Sequence, residues 1–202
     1  MNKKVILTLL LAIFAMVGRA QEIGKAEATP ADYIKLLNKQ GYHVFALDLS
    51  KFDKDKYLMT PVIQKWSNGK MEQNLLKSFP MDFTNSAPKV TIGFMPKTDS
   101  LFTCYFQFDD LCGIPYDLPK QQIRSEDGKS NYFDLVPRPF TIQPEWNENV
   151  FIPVVACSSW WYDERDKHYH NCDPDYGPDY LKSNTFTKSP YVYVLGITIR
   201  KR

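Results

Sequence analysis

Apolar and polar positions alternate with a period of two over several stretches of the chain, and one short stretch follows the helical period. Phe45, Leu47 and Leu49 share one parity while Ala46 and Asp48 take the other, which predicts a strand over 42–50. Val90, Ile92 and Phe94 against Thr91, Gly93 and Met95 predict a second, and residues 101–108 a third. Pro96-Lys97-Thr98-Asp99 between these two suits a hairpin connection. In the third, Cys104 falls on the face of Phe102, Phe106 and Phe108. Further strands are predicted over 132–136, 140–143, 150–157 and 191–199. In the last, Tyr191, Tyr193, Leu195, Ile197 and Ile199 oppose Val192, Val194, Gly196, Thr198 and Arg200, and its aliphatic end suits a central position. Pro153 marks 150–157 as an edge strand or a bulge, because proline cannot donate to a ladder. Residues 60–79 fit either two helical turns or two strands, and Asn68-Gly69 between apolar runs favours a β-hairpin.

The helical stretch begins at Thr29-Pro30-Ala31-Asp32, an N-cap followed by proline at the first helical position. Tyr33, Leu36, Leu37 and Gln40 then recur at helical spacing and Gly41 stops the run. His43, on the Phe45 face, reads as a structural histidine. Short strands separated by Pro and Asn/Asp turns predict a mainly β (α+β) fold, an antiparallel β-sandwich or open barrel with one N-terminal amphipathic helix packed at one end.

The first twenty residues have a different character. A positive start (Asn2, Lys3, Lys4), an apolar run over 5–17 and small residues at Gly18 and Ala20 form the three-part pattern of a secretory signal. The apolar run falls short of the roughly 20 residues a spanning helix needs. The expected organisation is therefore 1–20, a signal peptide that is removed, and 21–202, a single β-rich domain with no membrane span. The Lys-Lys start, leucine-rich core and Ala20-Gln21 junction resemble signal peptides of Bacteroidetes-type Gram-negative bacteria. The remainder is similar in size and style to the small secreted single-domain proteins of unknown function of those bacteria. That resemblance implies a protein of the periplasm or cell surface. Asp99-Ser100-Leu101 also resembles the O-glycosylation motif of that group.

Removal of residues 1–20 changes the charge. It takes away Lys3, Lys4 and Arg19 and no acid, which turns the formal net charge of +2 into −1. A near-neutral protein has no general pull on phosphate backbones or anionic lipid, so nucleic acid is not an expected partner. Leu, Ile, Val and Phe make up 53 of the 202 residues, above the roughly 20% below which charged chains stay disordered.

Four cysteines in an exported protein favour disulfides, and the most economical pairing is Cys104 with Cys112 and Cys157 with Cys172. The core parity of Cys104 argues equally for a buried free thiol. Zinc on Cys157, His168, His170 and Cys172 is a weaker alternative, because the spacing does not match finger patterns. Asp173, Asp175 and Asp179 alternate as oxygen ligands do in calcium loops, but the position-6 glycine and position-12 glutamate of an EF-hand are missing. No other cofactor is expected. Phosphate-cradling loops, dinucleotide fingerprints, Gly-x-Ser-x-Gly and His-Glu-x-x-His do not occur.

The unusual stretch is 160–180, with six aromatics, six acids and no aliphatic residue. It reads as a long loop between two strands, and such loops carry function more often than connecting segments of ordinary length. Exposed Trp and Tyr beside acids and amides stack on sugar faces and anchor protein interfaces. The sequence thus points to a non-catalytic exported domain that binds a glycan or an envelope protein through Trp160, Trp161, Tyr162, Tyr169, Tyr176 and Tyr180. Two alternatives stand beside it. One is a secreted hydrolase using Asp163, Glu164 or Asp166, which requires a cleft with two facing carboxylates. The other is a purely structural envelope component, with the loop folded over the sheet edge.

Overall fold

The computed structural model describes residues 27–52, 56–76, 83–84, 89–108, 113–125, 129, 131–141, 147–171 and 175–202. The chain divides into two units, residues 1–35 and residues 36–202. Helix α1 (Pro30–Lys39) starts as its sequence predicts. The Thr29 backbone N–H and hydroxyl both donate to the Asp32 carboxylate, at 2.9 and 2.8 Å. It ends in a Schellman motif, where the Gly41 N–H donates to Asn38 O and the Tyr42 N–H to Leu37 O. Gly41 has φ +85°, the left-handed conformation this cap needs. The helix buries none of its side chains, and Tyr33, Ile34, Leu36 and Leu37 are all exposed.

Two antiparallel sheets form the body of residues 36–202. Sheet A contains β1 (His43–Asp48), β5 (Lys89–Thr98), β6 (Leu101–Gln107) and β7 (Gly113–Pro119), in the order β1-β5-β6-β7. Sheet B contains β10 (Val136–Pro139), β11 (Phe151–Ser158), β14 (Val192–Lys201), β2 (Tyr57–Ser67) and β3 (Lys70–Asn74), in the order β10-β11-β14-β2-β3, with β4 (Phe83–Thr84) also on β2. Two small hairpins complete the set, β8 (Gln121–Arg124) with β9 (Asn131–Asp134), and β12 (Trp161–Asp163) with β13 (His168–His170). The residue 99–100 turn that joins β5 to β6 carries the Asp99-Ser100-Leu101 motif.

Alternation decides which side chains meet between the sheets. Val90, Ile92, Phe94, Phe102, Cys104, Phe106 and Leu118 of sheet A share one buried cluster with Met59, Ile63, Val155, Cys157, Tyr193, Leu195, Ile197 and Ile199 of sheet B. This is the core of a β-sandwich. Asn68 and Gly69 have φ of 48° and 75°, which makes the β2–β3 connection the hairpin that Asn-Gly predicts. Pro61 lies between the residues of β2 that pair with β4 and those that pair with β3, and is itself paired with Ile197 of β14.

Pro153 marks a bulge and not an edge. β11 lies between β10 and β14, and its register shifts between Pro153 and Val155. β10 is the edge, and it tolerates Pro137 and Pro139 for that reason. The single strand expected over 132–136 is instead two, divided at buried Leu135, where the chain leaves the β8–β9 hairpin for sheet B. Of the strand expected over 140–143, Phe140 makes one parallel bridge with Tyr176, and residues 142 and 143 lie outside the described residues.

β14 is central, but both of its faces are buried. Val192 and Val194 turn away from the sandwich core into a second cluster with Phe140, Ala156, Tyr176 and Phe186. Residues 175–189 cover this outer face of sheet B, and include a 3-10 turn (Tyr180–Lys182) and helix α2 (Asn184–Lys188). Ser183 caps α2 by accepting from the Phe186 N–H.

Candidate functional site

The aromatic and acidic stretch is not one loop. Its first half is the β12–β13 hairpin, in which Trp161 pairs with His170, Tyr162 with Tyr169 and Asp163 with His168. Trp, Tyr and His suit strand positions, and the acids between them build the turn. Asp163 Oδ1 accepts the Arg165 N–H at 3.0 Å, Asp166 Oδ1 accepts the His168 N–H at 3.1 Å, and Lys167 takes φ 60°. The second half, around Tyr176 and Tyr180, is the segment over sheet B.

A polar hub fixes the base of the hairpin. At the end of β11, Ser158 and Ser159 are fully buried, with Asn171 6% exposed beside them. Asn171 Nδ2 donates to Ser158 Oγ at 3.0 Å and to the Ser158 and Ser159 carbonyls. Ser159 Oγ donates to Tyr191 O at 2.8 Å and accepts the Tyr191 N–H, while Ser189 Oγ donates to Ser159 O. The Arg138 guanidinium donates to Asn171 O. On the other stem the Trp160 N–H donates to Gln121 Oε1 at 2.6 Å, and the indole Nε1–H donates to Asp134 Oδ2 at 2.8 Å. Buried polar groups satisfied in this way hold one geometry.

Pairing and alternation sort the hairpin side chains onto two faces. One carries Trp161 stacked on His170, with centroids 4.6 Å apart at 22°, and the Lys188 ammonium lies 4.2 Å from the Trp161 ring centre. The other carries Tyr162 and Tyr169, edge to face at 5.1 Å, with Tyr162 44% exposed.

Each candidate residue therefore has a definite place. Tyr162 is exposed, and its partner Tyr169 is half-buried, as is Trp161 in its stack. Trp160 is half-buried and serves as an anchor through both of its N–H groups. Tyr176 is 2% exposed and belongs to the second core cluster. Tyr180 packs edge-on to Phe140 and Phe186, each at 4.9 Å, and lines a cavity. The six aromatics do not make one surface.

The acids are engaged by their own turn. Arg165 bonds both oxygens of Asp163, and these bonds hold the Asp163 carboxyl well below the usual carboxylate range. Asp166 Oδ2 lies 2.8 Å from His170 Nε2, which lowers the Asp166 pKa in the same way. Glu164 is exposed. A facing pair of free carboxylates, which the hydrolase reading requires, is not present among these three. His43 is half-buried; burial lowers its pKa, against the opposing pull of Asp134.

Cys104 and Cys157 are both free thiols, so neither expected local disulfide is formed; Cys112 and Cys172 lie outside the described residues. The reason is the core position that alternation gave to Cys104. Its Sγ donates to Tyr116 O at 3.2 Å, and burial pushes its pKa up to about 12. Cys157 is raised in the same direction by complete burial. Cys157 is fully buried while His168 is exposed and His170 half-buried; Cys172, the fourth of the zinc candidates, lies outside the described residues. Of the calcium candidates, Asp173 lies outside the described residues, Asp175 is exposed, and Asp179 pairs with Lys182 at 2.8 Å. Among the described residues no three His, Cys, Asp or Glu side chains group as metal ligands.

The cavity lined by Tyr180 is not legible in the sequence, because its residues come from five stretches, within 47–52, 140–141, 147–153 and 177–180 and at Ile199. One signal was available: Gly196 sits inside the regular pattern of β14, and a glycine there marks close approach of another backbone. A Cβ on Gly196 would lie 2.1 Å from Ile152 O and 2.8 Å from the Phe151 ring. The glycine thus seats Phe151, one of the cavity walls.

Neither a curated protein nor a solved structure matches the chain. A family model described as a domain of unknown function, DUF5041, matches residues 12–201, so the chain belongs to that family.

Proposed function

We propose that this is an exported, non-catalytic binding domain of the Bacteroidetes-type envelope, and that the β12–β13 hairpin is its contact surface for a glycan. The observation that carries this reading is the exposed Tyr162 ring, backed edge to face by half-buried Tyr169 on a hairpin whose two stems are pinned by the Trp160 and Asn171 hydrogen bonds. Rigid aromatic faces with hydrogen-bonding groups beside them present both an apolar and a polar contact at small entropic cost. The phenolic hydroxyls carry the polar part of this contact, while Arg165, Asp163 and Asp166 lie with the Trp161–His170 stack on the other face. Export rests on the three-part pattern of residues 1–20. Among the described residues no helix is long and apolar enough to cross a membrane.

The test is a glycan array run in parallel with pull-down from envelope extracts, comparing the wild type with a Tyr162→Ala/Tyr169→Ala variant. Loss of the glycan signals in the variant, with thermal stability retained, is the expected result. Identical profiles for the two proteins would remove the hairpin as the contact surface. Capture of a protein alone would replace the glycan with a protein partner.

A further inference from the structure

A hollow of about 550 Å³ opens between the end of β1, the start of β11 and the turn at residues 177–180. That volume lies within the roughly 300–1,000 Å³ range of small-molecule sites, and well above the roughly 150 Å³ that holds one benzene ring. Its depth is apolar: Leu49, Phe140 and Ile199 line it and are 2%, 8% and 0% exposed. Phe52, Phe151 and Tyr180 add aromatic walls. Each of these rings is held by a neighbour in the protein. Phe52 packs edge to face on Tyr57 at 5.3 Å, Tyr180 packs the same way on Phe140 at 4.9 Å, and Phe151 is seated against Gly196. The walls are therefore formed before anything binds, and a ligand has little side-chain freedom left to remove.

The rim is polar but has no net charge. Among the described residues that line the hollow, the charged ones are Asp48 and Lys51, both exposed. Asp48 Oδ1 accepts the Ser50 N–H at 2.8 Å, and this bond and the Lys51 charge both favour the ionised carboxylate. One charge of each sign thus stands at the mouth, and the exposed Thr141 hydroxyl and Asn147 amide add neutral donors and acceptors. An ion entering the hollow would lose hydration to apolar walls and meet a rim charge already opposed by its neighbour. An uncharged ring escapes that cost and gains edge-to-face or offset contact with the walls. We infer that this hollow is a binding site for an uncharged, ring-bearing apolar molecule of about ten to twenty heavy atoms, the size its volume admits on the benzene scale. The rings lie against Phe140, Phe151 and Tyr180, and a hydroxyl or carbonyl of the ligand faces Thr141 and Asn147. The site shares no residue with the hairpin, so it stands or falls separately from the glycan reading.

The experiment is calorimetric titration of the purified protein, at neutral pH, with naphthalenemethanol, naphthoate and naphthylmethylammonium, which share a ring system and differ in charge. Two substitutions fill the hollow. A Cβ at Gly177 meets no atom within 4 Å, so Gly177→Leu adds bulk without a clash, and Val150, 52% exposed at the mouth, can be changed to Trp. Saturable binding of naphthalenemethanol is expected, about fivefold or more tighter than that of either ion. Each filling variant that keeps the wild-type melting curve is expected to weaken it about tenfold, as loss of a good apolar contact implies. Asp48→Asn fills nothing; it leaves Lys51 unopposed and is expected to narrow the gap between naphthoate and naphthalenemethanol about threefold. Absence of saturable naphthalenemethanol binding, or affinity untouched by the filling variants, overturns the site. Binding of either ion as tight as that of the alcohol, or a gap that Asp48→Asn leaves unchanged, overturns the assignment of an uncharged ligand.

Discussion

Gly196 shows how much one residue can decide. β14 approaches β11 at the Pro153–Val155 bulge, and no side chain fits between Gly196 and the Ile152 carbonyl. The contact is with backbone on both sides, so it cannot be relieved by turning a rotamer. Gly196→Ala must separate two strands in the middle of sheet B or distort the bulge. The expected cost is about 3 kcal/mol or more, the upper end of overpacking effects. Urea denaturation of the variant checks this; a midpoint within experimental error of wild type would show that the bulge relaxes freely. Phe151 moves with this contact, so any distortion reaches the cavity wall as well.

At the scale of elements, the hairpin is the informative case, because its sequence suggested a loop and its structure is two short strands on a polar base. Composition correctly singled out 160–180 as unlike the rest of the chain. Composition could not divide it, because Trp160 anchoring and Tyr176 burial depend on partners distant in sequence, Asp134 and Phe140 among them. Alternation, by contrast, correctly placed Val90, Ile92, Phe94, Cys104 and Phe106 in the core, since a strand face is local information. The strands β8, β12 and β13 are too short to show a period. The anchors predict a graded response. Trp160→Phe keeps the ring and removes the indole N–H bond to Asp134, a charge-assisted bond worth about 1.5–3 kcal/mol. The expected outcome is destabilisation of that order together with faster amide exchange at residues 161–170. Unchanged exchange there would mean that Asn171 and the residue 160 backbone bond to Gln121 hold the hairpin without the indole.

For residues 36–202 as a body, the free cysteines among the described residues, Cys104 and Cys157, report on the sandwich. Cys104 belongs to sheet A and Cys157 to sheet B, and both lie in the cluster between them. Their thiols are buried and held protonated, so a thiol reagent reaches neither until the sheets part. In a Cys112→Ser/Cys172→Ser background, Cys104 and Cys157 should label at the same rate, and that rate should follow global unfolding as urea is added. Faster labelling of one alone would reveal that its sheet opens independently.

The central position of β14 also sets an order of assembly. β2 and β11 are neighbours of β14 and not of each other, and β11 begins 84 positions after β2 ends, at Phe151 against Ser67, a non-local spacing of the kind that slows β proteins. Until residues 192–201 have been synthesised, β2 and β11 have no strand between them and the outer cover at 175–189 has no complete surface to settle on. Sheet B closes late, whereas all four strands of sheet A have been made once the chain reaches Pro119.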